Sequence, residues 1–80
     1  MPKVTLYTRA GCCLCDEAKD VLHAARARAE FDLEEIDIDR QAQWRELYNE
    51  EVPVIAIDGR KAFKYRLSLD EFLKRLAARA

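Results

Sequence analysis

Hydrophobic and polar positions follow two periods along this chain, and the change of period marks its elements. From Lys3 to Thr8, Val4 and Leu6 alternate with Thr5 and Tyr7, the two-residue period of a strand. Arg9-Ala10-Gly11 turns the chain, with Gly11 free to take an unusual φ. From about Cys13 to Ala29 the period lengthens. Leu14, Ala18, Val21, Leu22, Ala25 and Ala29 fall on one helical stripe, and Arg26 and Arg28 near its end complement the helix dipole.

A second strand is predicted over Phe31 to Asp39, with one complication. Phe31 and Leu33 are apolar at odd positions, Ile36 and Ile38 at even ones. Either a bulge sits near Glu34-Glu35 or the strand begins there. Asp39 is expected to cap a short helix from about Arg40 to Asn49 that turns Trp44, Leu47 and Tyr48 inward. Val52-Pro53-Val54-Ile55-Ala56-Ile57 is almost wholly apolar, which suits a central strand covered on both faces. Asp58-Gly59 signals a tight hairpin to an antiparallel partner from Arg60 to about Tyr65. Ser68 and Glu71 have the spacing of a capping box, opening a last helix with Leu69, Phe72, Leu73, Leu76 and Ala77 on one face.

The order β-α-β-α-β-β-α predicts an α/β fold: a four-stranded mixed sheet with helices on both faces. The first two strand–helix–strand passages are expected as right-handed crossovers. No repeat, linker or low-complexity segment interrupts residues 1–80, so one domain is expected.

Composition narrows the function. Half of the residues are hydrophobic, so a compact globule is expected rather than disorder. The formal net charge of −1 lacks the basic excess that nucleic-acid binding needs. No apolar run approaches the roughly 20 residues that span a membrane, and Met1-Pro2-Lys3-Val4 does not open a signal peptide. A cytoplasmic protein is expected, with neither nucleic acid nor membrane as partner.

The candidate chemistry lies in Gly11-Cys12-Cys13-Leu14-Cys15-Asp16. Three cysteines this close would staple almost nothing, so catalysis or metal binding is the better reading. Cys12 and Cys15 lie nearly on one face at a helix start. The free N–H groups and positive dipole end found there favour a thiolate, the nucleophile of disulfide exchange. Arg9 can add to that effect, while Asp16 and Glu17 oppose it. Cys13 is open to three readings: a spectator, a third redox thiol or a metal ligand. A disulfide between the neighbours Cys12 and Cys13 would be strained, so Cys12–Cys15 is the expected bond. The rival function is a metal or iron–sulfur module built on Cys12, Cys13 and Cys15. Tyr7 either borders the site or packs in the core. His23 reads as an ordinary helix residue, and the acidic positions from Glu30 to Asp39 as a solvated edge.

With these elements in place the sequence resembles the thioredoxin fold and, within it, the glutaredoxin-like small redoxins. Leu6 to Asp16 is similar to their active-site strand, turn and helix start. Val52-Pro53-Val54 is similar to their cis-proline step, and Ile57-Asp58-Gly59-Arg60 to the hairpin after it. The chain departs from the glutaredoxin pattern where Cys13 and Leu14 replace a proline and an aromatic. It departs again where Ala62-Phe63-Lys64-Tyr65 replaces a Gly-Gly pair that helps hold glutathione. The resemblance implies a thiol–disulfide oxidoreductase that needs no cofactor. Cys12 would be the nucleophile and Cys15 the resolving thiol, with Arg9, Val52 and Pro53 lining the substrate site. A cis Val52–Pro53 step would expose the backbone of Val52 to an extended substrate. The implied partners are a disulfide-containing protein, glutathione or another low-molecular-weight thiol, and an external reductant such as a reductase. A monomer is expected.

Overall fold

The computed structural model describes residues 2–48 and 51–78. Strand β1 (Lys3–Thr8) leads to helix α1 (Cys13–Arg26), strand β2 (Asp32–Asp37) and a 3-10 turn (Ile38–Arg40). Helix α2 (Ala42–Tyr48), strands β3 (Val54–Ile57) and β4 (Arg60–Lys64) and helix α3 (Leu69–Ala77) complete the chain order. The sheet order is β2-β1-β3-β4, with β1 parallel to β2 and antiparallel to β3, and β4 antiparallel to β3. The predicted order and mixed sheet are therefore present.

The alternation of β1 sorts the two faces. Val4 and Leu6 pair with Ile57 and Ile55, and all four pack with Ala18, Leu22 and Ala25 of α1 and Phe72 and Leu76 of α3. Phe31, 1% exposed, meets Phe72 edge-on at 5.5 Å and closes that core. On the opposite face Tyr7 packs against α2, its ring 5.0 Å from Trp44 and 4.7 Å from Tyr48. Every residue of β3 is buried, as expected of a strand covered on both sides.

Strand β2 has neither the bulge near Glu34-Glu35 nor the start there that were the two alternatives, since it runs unbroken from Asp32. Its pairing with β1 advances one for one from Lys3↔Asp32 to Thr8↔Asp37. The flip in parity comes from an edge strand that serves both layers in turn. Leu33, beside Val4, packs on the α1 and α3 core, whereas Ile36, beside Tyr7, lies on the α2 side. Glu35 falls on the first face beyond the core and pairs with Lys19 at 3.6 Å.

Three other expectations shift. Helix α1 ends at Arg26, where Ala27 and Arg28 donate to Ala24 and Ala25 and tighten the last turn. Asp37, not Asp39, is the capping residue after β2: its carboxylate accepts the Asp39 N–H at 2.9 Å and starts the 3-10 turn. Helix α2 therefore begins only at Ala42, and the expected end at Asn49 lies outside the described residues. Leu47 is 57% exposed, because this short helix covers the sheet with Trp44 and Tyr48 alone.

The passage from β2 through α2 to β3 is also not a parallel crossover. Ile36 and Val54 both pair with Tyr7, so the chain leaves β2 and enters β3 at the same end of the sheet. A seven-residue helix advances only about 10 Å. The connection stays at that end and β3 runs back.

The hairpin and last helix form as their residues require. Asp58 and Gly59 have φ of 52° and 84°, both positive as a two-residue primed turn demands. Asp58 also ties the hairpin to β1, accepting the Lys3 N–H at 2.9 Å. Ser68 caps α3 by accepting the Glu71 N–H at 3.4 Å. Among the described residues no helix is long and apolar enough to cross a membrane.

Candidate active site

The end of the sheet where β1 delivers the chain to α1 gathers the cysteines. Gly11, at φ +77°, makes the turn. Cys12 is the N-cap of α1, extended in backbone, and its sulfur accepts the Cys15 N–H at 3.3 Å. The first turn closes with the Asp16 N–H donating to the Cys12 carbonyl at 3.2 Å. A sulfur thus takes the place usually held by a serine or aspartate oxygen, where a helix has donors without partners.

All three cysteines are free thiols, and their exposures differ. Cys12 is half-buried, Cys13 exposed and Cys15 buried to 1% exposure. Burial pushes the Cys15 thiol up, and its hydrogen bond to Cys12 adds to that. The Thr8 hydroxyl and the Arg9 backbone N–H pull it down. Among the described residues no group of three or more Cys, His, Asp or Glu side chains is arranged to hold a metal ion.

Arg9 stands three residues before Cys12, but its guanidinium is turned to Asp39. Nη2 reaches Oδ1 at 2.8 Å and Nε reaches Oδ2 at 3.1 Å. This raises the Arg9 pKa and lowers that of Asp39. The guanidinium thus pairs with Asp39, whose carboxylate a planar fork matches, and the charge of Cys12 adds a smaller share to the rise in the Arg9 pKa.

Val52–Pro53 is a cis peptide bond, as the family resemblance implied. Pro53 is buried, Val52 is half-buried, and the β3 ladder begins beyond them at Val54. The Pro53 carbonyl accepts the Tyr65 N–H at 2.9 Å. Tyr7 has its ring in the Trp44–Tyr48 cluster, so it packs under α2.

Two residues escaped the sequence reading. Thr8 lies in phase with Val4 and Leu6, on the face that β1 turns to α1. It is 8% exposed, and its Oγ1 is buried without a hydrogen-bond partner of ordinary geometry. A polar residue at an inward position of an alternating strand, next to a cysteine turn, was the available signal. Tyr65 comes just after β4 with φ +67°, a left-handed conformation that favours glycine. It belongs to the stretch where glutaredoxins carry their glycine pair, and no local pattern marks a tyrosine for that conformation.

Comparison with known proteins agrees with this geometry. A 35% identical relative is the glutaredoxin-like protein YDR286C homolog of Dictyostelium discoideum, matched over 85% of this chain and 68% of its own. The solution structure of protein Ne2328 from Nitrosomonas europaea is 32% identical, with a TM-score of 0.81 over 94% of this chain and 91% of that one. A variant thioredoxin from Halobacterium salinarum, 15% identical, superposes with a TM-score of 0.74 over 96% of this chain and 73% of its own, a likeness of fold. Residues 3–77 match the model of the glutaredoxin-like domain (DUF836), and with its thioredoxin-like fold this chain belongs to that glutaredoxin-like family.

Proposed function

We propose that the protein is a dithiol–disulfide oxidoreductase. The observation that carries this reading is the Cys12 sulfur at the α1 N-cap, accepting the Cys15 N–H at 3.3 Å, with Cys15 buried directly behind it. The Cys12 thiolate attacks one sulfur of a substrate disulfide. A Cys12–substrate bond forms, and the other substrate sulfur leaves with the electron pair of the broken bond. Cys15 then attacks Cys12. The Cys12–Cys15 bond forms, the Cys12–substrate bond breaks, and the Cys15 proton ends on the departing substrate thiol. Two electrons have passed to the substrate, and an external reductant restores the dithiol.

Val52 and Pro53 line the substrate site, with backbone available beyond the start of the β3 ladder. The substrate is a protein disulfide or a mixed disulfide of a low-molecular-weight thiol such as glutathione, met in the cytosol by a monomer without nucleic acid or membrane. Cys13, exposed, takes no part in the exchange.

The test is a disulfide-reduction assay with Cys12→Ser and Cys15→Ser variants, followed by mass spectrometry without reductant. Cys12→Ser abolishes reduction, and Cys15→Ser accumulates a mixed disulfide on Cys12. Full dithiol turnover by Cys15→Ser would refute the mechanism.

A further inference from the structure

Tyr65 has the backbone of a glycine and the exposure of a polar residue. It is the centre of a three-residue turn, closed by the Arg66 N–H donating to the Lys64 carbonyl at 2.9 Å. With φ at +67° this is the γ-turn of positive φ, the rarer and more strained of the two forms. Glycine would take that conformation freely, whereas a side chain pays for it. Burial does not repay the strain. Tyr65 is 42% exposed, and with Leu47 it is one of two exposed large hydrophobic residues among those described. Strain of this kind persists where the surroundings hold it, and it gathers at ligand sites.

The surroundings of Tyr65 do hold it. Its N–H donates to the Pro53 carbonyl at 2.9 Å, and the Lys64 ammonium lies 5.4 Å from the centre of its ring. Tyr65 also lines a groove of about 360 Å³ with the half-buried Leu14, Val21 and Leu67. Leu14 comes from the cysteine turn, and Tyr65 is tied to Pro53, so the groove continues the exchange site proposed above. Glu17, Glu71 and Arg66 bring its charges, and all three are exposed.

These features select an occupant. The volume is near the low end of the roughly 300–1,000 Å³ common in ligand clefts, which suits a side chain and its neighbour on an extended segment. Glutathione has no apolar side chain to offer Leu14, Val21 and Leu67, and its carboxylates would meet Glu17 and Glu71. A polypeptide with an apolar residue beside its cysteine, and a basic residue close by, satisfies both the apolar lining and the acidic excess.

We infer that Tyr65 is a specificity-determining residue of the exchange: with the groove it lines, its ring receives an apolar side chain of a disulfide-containing polypeptide and favours such substrates over glutathione. This rests on the proposed disulfide exchange and names its substrate class.

Two chromogenic disulfides test it in stopped flow, on the full chain carrying Cys13→Ser so that the exposed thiol does not contribute. One joins thionitrobenzoate to a short peptide whose cysteine is flanked by leucine and lysine. The other joins thionitrobenzoate to glutathione. In each, the Cys12 thiolate attacks the peptide or glutathione sulfur. A bond from Cys12 to that sulfur forms, the bond to thionitrobenzoate breaks, and thionitrobenzoate, the better leaving group, departs with the electron pair and is read by its colour.

The parent should react with the peptide disulfide at least about tenfold faster than with the glutathione one. In Tyr65→Gly, which keeps the turn and removes the ring, that ratio should fall toward unity. Tyr65→Phe should keep it, because the ring and not the hydroxyl makes the contact. A ratio near unity in the parent, or an unchanged ratio in Tyr65→Gly, overturns the assignment of Tyr65 and leaves the exchange mechanism standing. Absence of thionitrobenzoate release from both disulfides in the parent overturns the exchange mechanism and the assignment with it. Circular dichroism checks folding, and Tyr65→Asn, whose residue tolerates positive φ, supplies the same comparison if Tyr65→Gly does not fold.

Discussion

Arg9 holds Asp39 with both Nη2 and Nε, at 2.8 and 3.1 Å, joining the turn before the cysteines to the turn after β2. The Arg9 guanidinium keeps the Asp39 carboxyl below the usual carboxylate range. A carboxylate whose pKa is lower folded than unfolded adds stability above its unfolded pKa and loses it as the pH falls through the folded one. Asp39→Asn should therefore lower the melting temperature slightly at neutral pH, and the gap should close in acid and in high salt. The effect is small because both groups are solvated. Thermal melts at two pH values and two salt concentrations check it; a gap that persists in acid would show that the pair contributes otherwise.

Thiol accessibility should rank the cysteines. In the native protein, alkylation should label Cys13 readily, while Cys15 reacts at least about tenfold more slowly until the chain is unfolded. Peptide mapping after timed alkylation reads this directly. Equal labelling of Cys13 and Cys15 would contradict the buried position of Cys15.

The edge-on contact between Phe31 and Phe72 at 5.5 Å joins the entry to β2 with α3. Phe31→Ala removes a fully buried ring and should cost about 3–5 kcal/mol. That approaches the whole stability of many small domains, about 5 kcal/mol at the low end. Urea unfolding should show a sharply lowered midpoint or a chain already unfolded. A loss below about 1 kcal/mol would mean that the site collapses to fill the gap.

Gly59 at φ +84° has open space where a Cβ would stand, so Gly59→Ala tests the backbone conformation alone. It should destabilise by about 1 kcal/mol. An unchanged unfolding midpoint would argue against the primed turn.

Trp44 is the chain's only tryptophan and packs 5.0 Å from Tyr7. Tyr7→Ala should uncover it, moving its emission to the red and lowering stability by about 3 kcal/mol or less, since Tyr7 is only half-buried. Fluorescence spectra and melts measure both. Unshifted emission would mean that α2 keeps its seat without the tyrosine.

The elements were legible wherever the deciding interactions are local. The two-residue period of β1, the helical stripe of α1, the Asp58-Gly59 turn and the Ser68 cap each depend on residues within about one turn of each other. The cysteine spacing likewise announces its chemistry, because a helix start brings positions 12 and 15 together whatever the rest of the chain does. The sequence by itself therefore determined the order of elements, the mixed sheet and the thiols at the α1 N-cap.

The tertiary structure decided what each residue faces. Leu33 and Ile36 disagree in parity because the layers on opposite sides of β2 take one residue each, and no local period encodes two separate layers. Asp39 was the expected cap, yet its carboxylate pairs with Arg9, thirty residues away in sequence, and Asp37 caps the turn instead. Leu47 had the spacing of an inward residue, yet α2 turns Trp44 and Tyr48 onto Tyr7 and leaves Leu47 exposed. Thr8 reads as one more strand threonine until the fold seals its hydroxyl from water. Periodicity and turn chemistry act between neighbours along the chain, whereas burial and charge pairing depend on which distant segments arrive at the same place.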